Sequence, residues 1–499
     1  MSTEIDLLEL FGTPIVLILS AITAIFLGYL TLIAYRKRLY LRAVVIGMTL
    51  VHEITLIVYP VWYSVLTNFY LESEIFVRPN SLLVVYLGEF VFVALFGFGL
   101  ISRPWGPQNA RLCSYDRQRS EIVLIKILAI CGAAFYAAEL IAPTYAIDTG
   151  SKHADLTIYH NIWEQLWEYV LSFIRWPSLI AACLVLTDKS YSSTLRRLGS
   201  IAPICRVLFS MINGLRGGIV LVIYLIISAG AIAKNKRAII VGVITIASII
   251  PFFSVLHSVM RWNTWSSTEG TRNIDMLPTL WKVVSRKSGT KIKRGGDSFL
   301  DAWAVRAEGP RNSVGLYNQY DRGNGAGIHP IVGAMVMPIP GNVWPGKPIG
   351  GSIDRTNLGA AIYLVQKLKP GRGPQEMGPI LASAHAYWEG GWLWLVIAGY
   401  LTGLFWNLLL SWGETGSSVF KTIIVLCFMV ALPIDGLLSM LNPVYTFILM
   451  FWKAVVPLLL LHLMVSLLMS RRFMRNSRHS DSSVAIPRLG FPGVDSLAK

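Results

Sequence analysis

Charged side chains inside otherwise apolar runs are the first residues in this chain that could do chemistry. Arg175 interrupts Phe173-Ile-Arg-Trp-Pro177, and Arg206 lies in Cys205-Arg-Val-Leu208. Arg216 sits in Asn213-Gly-Leu-Arg-Gly-Gly218, and Lys453 in Phe451-Trp-Lys-Ala454. Glu89 and Glu139 are their acidic counterparts. A charge at membrane depth is costly and rare. It marks a pathway or a site unless it pairs structurally or snorkels to the surface. Arg175 and Lys453 suit the structural role as well as the functional one. Arg216 favours the functional one, because the flanking glycines free backbone amides to join the guanidinium around an anion. A helix restarting at such a break points its positive N-terminal end and free N–H groups at that anion.

Two polar clusters add to this set. In Gly296-Asp-Ser-Phe-Leu-Asp-Ala-Trp-Ala-Val-Arg306 a helical path stacks Asp297 and Asp301 on one face, with Arg306 beyond them. In Pro338-Ile-Pro-Gly-Asn-Val-Trp-Pro-Gly-Lys-Pro348 the prolines fix an extended, stiff path. Trp344 and Lys347 project from it, and an aromatic ring stacks on a sugar face while a lysine answers a phosphate. The plain alternative is a Pro-rich turn. No phosphate-binding Gly-x-x-x-x-Gly-Lys loop, dinucleotide-binding unit, His-Glu-x-x-His or Cys-x-x-Cys pattern is present in the sequence. No metal and no cofactor are therefore expected. Four of the five cysteines lie inside apolar runs, so no disulfide framework is expected either.

These residues must be held by membrane helices. The chain has 499 residues, of which 54% are hydrophobic. Only 14% are charged, against about 25% in a typical soluble domain. The mean hydropathy is +0.55. That excludes a soluble single domain, a disordered chain and a small secreted module. A helix needs roughly 20 apolar residues to span a bilayer. Runs of that kind cover 13–34, 42–63, 82–101, 122–143, 166–186, 238–258, 391–412, 420–441 and 444–468. The stretch 200–233 is broken at Asn213–Gly218 and reads as two shorter helices, 200–214 and 217–233. The expectation is an all-α polytopic membrane protein with about eleven spans. The acidic first residues (Glu4, Asp6, Glu9) and a full-length first run give no cleavable signal.

Short-loop charges set the orientation. Arg36, Lys37, Arg38 and Arg42 lie in the first loop, Arg103, Arg111, Arg117 and Arg119 in the third. Lys189, Arg196 and Arg197 lie in the fifth, Lys234, Lys236 and Arg237 in the seventh, and Arg471, Arg472, Arg475 and Arg478 open the tail. The second and fourth loops carry Glu72, Glu74, Asp148, Asp155 and Glu164 instead. The Arg-rich side is cytoplasmic, which puts the N-terminus outside and the C-terminus inside. In a bacterial inner membrane the outer side is the periplasm.

The expected division is 1–258 with spans one to eight, 259–390 as one large external loop, 391–470 with the last three spans, and 471–499 as a basic, polar cytoplasmic tail. Residues 260–390 hold 16 Lys or Arg and 9 Asp or Glu, a net of +7. Short helices are expected near 276–286 and 356–369. Positive charge outside runs against the orientation bias, and an anion held there is the simplest cause. The overall charge of +16 thus reports orientation and an anionic ligand rather than nucleic acid.

Three places in the chain resemble the O-antigen polymerase (Wzy) group of oligosaccharide repeat-unit polymerases. Asn213-Gly-Leu-Arg216-Gly-Gly-Ile-Val220 is similar to the family's Gly-x-Arg-Gly motif opening a membrane helix, and Lys234-Asn-Lys-Arg237 follows it. Pro338-Ile-Pro340 continuing to Val343-Trp-Pro-Gly-Lys-Pro348 is similar to the family's Pro-Arg-x-x-Trp-Pro-x-Lys-Pro. His385-Ala-Tyr-Trp-Glu389-Gly-Gly391 is similar to its Glu-x-Tyr-x-Asn-x-Gly run. With the large loop before the last spans, the resemblance covers roughly 200–410. There are departures. The family's arginine after the proline is here Gly341, so that cation must come from elsewhere, with Arg306, Arg311 and Arg355 as candidates. The family's glutamate falls on His385, with Glu389 four residues on.

The resemblance implies a metal-independent membrane glycosyltransferase of the C-type fold. Donor and acceptor would both be glycans on polyprenyl diphosphate, and a chain-length regulator, a flippase and membrane lipids would be the partners. A hydroxyl of the incoming unit attacks the anomeric carbon, and fixed cations stabilise the leaving diphosphate. Arg216 and Arg306 are the first candidates for those cations, with Arg206, Arg272 and Lys347 second. His385, Glu389 and Asp301 are candidate bases. Trp344, Tyr387 and Trp388 are candidate sugar platforms. Two rivals remain: an O-antigen ligase with a different acceptor, and a lipid-linked oligosaccharide flippase. No inverted repeat supports the flippase.

Overall fold

The computed structural model describes residues 7–59, 61–62, 79–102, 119–141, 143–144, 162–212, 216–246, 271–278, 281, 309–323, 325–327, 332, 335–336, 344, 381–415, 419–434, 451 and 455–481. These residues are helical apart from turns and one two-residue strand pair. The helices are α1 (Leu7–Arg36), α2 (Tyr40–Glu53), α3 (Pro79–Ile101), α4 (Arg119–Ile141), α5 (Ile162–Thr187), α6 (Ser193–Ile212) and α7 (Arg216–Ile232). After them come α8 (Gly309–Asp321), α9 (Ala382–Thr415), α10 (Val419–Ile434) and α11 (Val456–Asp481). Among the described residues, four stretches are long and apolar enough to cross a membrane: Pro14–Arg36, Leu83–Ile101, Glu121–Ile141 and Ala382–Gly413. Shorter apolar helices run over Arg175–Thr187, Gly218–Ile232, Val419–Met429 and Val456–Leu468. The chain is a helical, membrane-embedded protein.

Helix association in lipid has little hydrophobic drive, so close packing has to hold the elements together. The α3–α9 pair shows how. The Cβ position of Gly403 falls on the Phe96 carbonyl, that of Gly99 on the Tyr400 carbonyl, and that of Gly399 lies 2.9 Å from the Phe92 carbonyl oxygen. Phe92, Phe96 and Trp406 fill the seam alongside. In α4–α6 the same device recurs: Gly132 meets the Ser178 carbonyl, and Gly199 meets Ala182 and Val185. The opposite side of α1 leaves Ile18, Ile25, Tyr29 and Leu32 exposed, an apolar stripe suited to acyl chains.

The expected break in 200–233 is present as two helices, α6 and α7, with α7 opening on Arg216 itself. The run expected at 391–412 lies within a longer helix that is bent. Gly390 and Gly391 leave the helical region, and Gly391 takes φ 67° and ψ −158°. Residues 382–389 are thereby turned back as a separate short helix packed on α3 and α8, and the spanning part begins after the bend. The last helix runs unbroken from Val456 to Asp481, across the expected start of the tail at 471. The expected helix at 356–369 and the boundary at 258 lie outside the described residues. Within 276–286, the backbone shows a 3-10 turn at Asn273–Met276 running into helical residues 277–278.

The basic turns cluster by end. Asn235 donates through Nδ2 to the Thr187 carbonyl at 2.9 Å, which ties the turn holding Lys234 and Lys236 to the end of α5 before Lys189. Arg42 donates to Asn407 Oδ1 at 2.8 Å and to Ser411 Oγ. At the other end of α4, Pro143–Thr144 pairs antiparallel with Thr271–Arg272. The only described strand of the large loop therefore sits at the end of α4 opposite the basic Arg119.

Candidate functional site

Two groups of polar side chains are buried among the helices. The first joins α4, α5 and α6. Arg175 Nη2 donates to Glu139 Oε1 at 2.5 Å. Arg206 Nη1 donates to both oxygens of the same carboxylate, at 3.2 and 3.3 Å. Tyr136 donates to the Arg175 carbonyl at 3.0 Å. Two guanidiniums are always charged, so sharing one carboxylate leaves a surplus of one positive charge. Arg206 is only 7% exposed, and its Nε carries no hydrogen bond among the described residues. Phe209 covers the guanidinium, its ring centroid 5.1 Å from Cζ.

The start of α7 stands beside this group. Ser210 Oγ occupies the space a Cβ would take at Gly218, and Arg206 Nε is 3.6 Å from that point. Ser210 is fully buried, and its hydroxyl is also without a hydrogen-bond partner among the described residues. The first turn of α7, with its unpaired backbone N–H groups, thus meets a buried guanidinium edge and a buried hydroxyl. Only a residue without a side chain allows that approach at Gly218. The 3-10 turn Asn273–Met276 packs on α4 and α6, and Arg272 leads into it. A donor-rich, positively charged cluster of this kind suits an anion with several oxygens.

The second group joins α2, α3, α8 and α9. Ser383 Oγ donates to Glu89 Oε2 at 2.5 Å. Glu53, the last residue of α2 before a π-helical turn at Ile54–Val58, lies within electrostatic reach of Glu89. Both are buried, at 3% and 5% exposure. On the short helix 382–389, His385 is buried with no partner at Nδ1 among the described residues. Tyr387 donates to Asp321 Oδ1 at 2.8 Å and stacks on Tyr317 with centroids 4.1 Å apart. Trp394 Nε1 donates to Glu389 Oε2 at 2.8 Å. Burial pushes the Tyr317 hydroxyl well above the usual phenol range, so it can only act as a neutral donor or acceptor.

Of the residues singled out from the sequence, His385, Tyr387 and Glu389 share one short buried helix, and Arg206 belongs to the arginine group on other helices. Arg216 is the first residue of α7, and Arg272 pairs through its backbone with Pro143. Trp344 is exposed at 42%. Asp301, Arg306 and Lys347 lie outside the described residues. Sequence reasoning passed over Glu53, Ser210, Tyr317, Asp321 and Ser383. Glu53 carried a usable signal, a carboxylate inside an apolar run; the neutral hydroxyls carried none.

No family model, no curated protein and no solved structure matches this chain.

Proposed function

We propose that this chain is a membrane glycosyltransferase that joins oligosaccharide repeat units carried on polyprenyl diphosphate, in the manner of the O-antigen polymerases it resembles. The observation that carries this reading is the Arg175–Glu139–Arg206 group set against the first turn of α7. It sets two guanidiniums on one carboxylate beside a helix N-terminus, which suits a multiply charged anion.

In this reading a hydroxyl of the incoming unit attacks the anomeric carbon of the growing chain. The bond from that carbon to the diphosphate oxygen breaks, and its electron pair leaves on the diphosphate. Arg206, Arg216 and the α7 amides stabilise the developing charge without reorganising. Arg272, Arg306 and Lys347 complete the cation set from the outer loop. The hydroxyl proton passes to His385, whose Nδ1 has no hydrogen-bond partner among the described residues, whereas Glu389 is held by Trp394. Asp301 orients Arg306, and Trp344 and Tyr387 hold sugar faces. The layout that goes with this reading has eleven spans in a bacterial inner membrane, residues 259–390 in the periplasm and the C-terminus in the cytoplasm.

The test is the lipopolysaccharide banding pattern of a strain lacking the gene. Loss of the ladder with a single capped repeat retained is expected, and the wild-type chain but not its Arg206→Ala variant should restore the ladder. Complete loss of capping would assign the chain to the ligase reaction, and an unchanged ladder would remove both readings.

A further inference from the structure

A hydroxyl inside a helix commonly donates to a carbonyl three or four residues back along its own chain. Thr49, Thr187, Ser228 and Thr402 are buried and follow that rule, donating to the carbonyl four residues back at 3.0, 2.9, 2.8 and 2.6 Å. Ser210 on α6 departs from it. Its hydroxyl is buried and has no hydrogen-bond partner among the described residues. The side chain is turned across to α7 instead, where Oγ fills the space a Cβ would take at Gly218. Leaving a buried hydroxyl unmatched is unfavourable, so the orientation calls for a use.

A second unmatched donor points to the same place. Arg206 Nε has no hydrogen-bond partner among the described residues and lies 3.6 Å from the Gly218 Cβ position. Glu139 holds Nη1 of that guanidinium, and the Phe209 ring covers it, so the group is fixed in place. Both residues are buried, Arg206 at 7% exposure and Ser210 at 0%. They meet at the first turn of α7, whose leading N–H groups have no acceptor within the helix. Donors that converge without an acceptor define the position of an acceptor oxygen. Arg175 and Arg206 share the one Glu139 carboxylate, so a negatively charged oxygen suits that position better than a water molecule.

We propose that the Ser210 hydroxyl is a binding donor of the anion site, and that it and Arg206 Nε hold one phosphate oxygen between them against the first turn of α7. Gly218 then has a specific task, since a side chain there would displace the hydroxyl and return it to the carbonyls of its own helix. The inference rests on the transferase reading for the identity of the anion, the diphosphate of a lipid-linked glycan, and not for the donors that hold it. Ser210 binds and does not react: no bond forms or breaks at its oxygen.

The test is equilibrium binding of inorganic diphosphate to the purified full chain in detergent, read beside the thermal stability of the ligand-free protein. The wild type should bind saturably. Ser210→Ala should weaken binding by about tenfold or more. It should not lower stability, because it deletes a hydroxyl that has no partner. Gly218→Ala should weaken binding to a similar degree, and the double variant should be no worse than either single one, since both remove the same contact. Absence of saturable binding to the wild type overturns the proposal. So does a Ser210→Ala variant that binds like the wild type; if it is also less stable, the hydroxyl holds a structural water. A loss of binding matched by a loss of stability overturns it as well, in favour of a packing role between α6 and α7. If binding depends on Ser210 while a strain lacking the gene keeps its lipopolysaccharide ladder, the transferase reading falls and the anion site stands.

Discussion

Glu139 holds two guanidiniums, but the two are not equivalent. The Arg175 side chain is 30% exposed and makes the shorter contact, while that of Arg206 is 9% exposed and turns its free Nε toward the α7 turn. Removing Arg206 leaves a matched Arg175–Glu139 pair, so the fold should hold while the surplus charge is lost. If that charge faces a leaving diphosphate, Arg206→Ala should lower chain extension from lipid-linked repeat units by about 10²-fold or more. Arg206→Lys keeps the charge but loses the planar fork, and should retain part of the rate. Glu139→Gln should act differently. It leaves buried Arg206 and half-buried Arg175 without the carboxylate they share. The cost reaches on the order of 3–5 kcal/mol only for fully buried pairs and is less here because Arg175 is partly solvated. That variant should show its defect in detergent thermal stability. Equal losses of stability in Arg206→Ala and Glu139→Gln would make the group a structural clamp instead.

The bend in α9 decides where four candidate side chains sit. A φ of 67° with ψ of −158° at Gly391 belongs to a region that only glycine occupies without strain. A Cβ there would also enter the ring of Tyr320. The turn is locked from outside as well, since Ala326 N donates to the Trp388 carbonyl at 2.8 Å. Gly391→Ala should therefore cost about 1–3 kcal/mol and release the 382–389 helix, with its Ser383, His385, Tyr387 and Glu389, while the α3–α9 seam below stays intact. Hydrogen exchange should then rise at 382–389 and not at 399–410. Gly403→Leu should do the reverse, because its side chain strikes the Phe96 carbonyl in the seam. Matching exchange patterns in the two variants would show that the short helix and the span move as one body. This bend was not legible in the sequence. Leu381–Trp388 holds no residue that stops a helix, and glycine is common in membrane helices; only tertiary contacts with Tyr320 and Ala326 select the turn.

At the scale of the molecule, what was legible followed from composition and spacing. The apolar runs, the break before Arg216 and the cost of Arg175, Arg206, Glu89 and Glu139 all show in one dimension. Their pairings do not, because the partners of Glu139 lie 36 and 67 residues away in sequence. The orientation is an expectation from the short-loop charges alone. Thr187 and Asn235 join two basic turns at one end, and Pro143–Thr144 pairs with the large loop at the end of α4 away from Arg119. Turning the molecule over would place every basic turn outside together, so one pair of probes decides the matter. With the native cysteines removed, Thr290→Cys should react with an impermeant maleimide on intact spheroplasts. Ser480→Cys should react only after the membrane is opened, the outcome expected if Arg471, Arg472, Arg475 and Arg478 mark a cytoplasmic end. The reverse pattern would invert the molecule and carry the Arg175–Glu139–Arg206 group with it. Equal labelling at both positions would mean that the number of spans between them is even, and the eleven-span layout would fail with it.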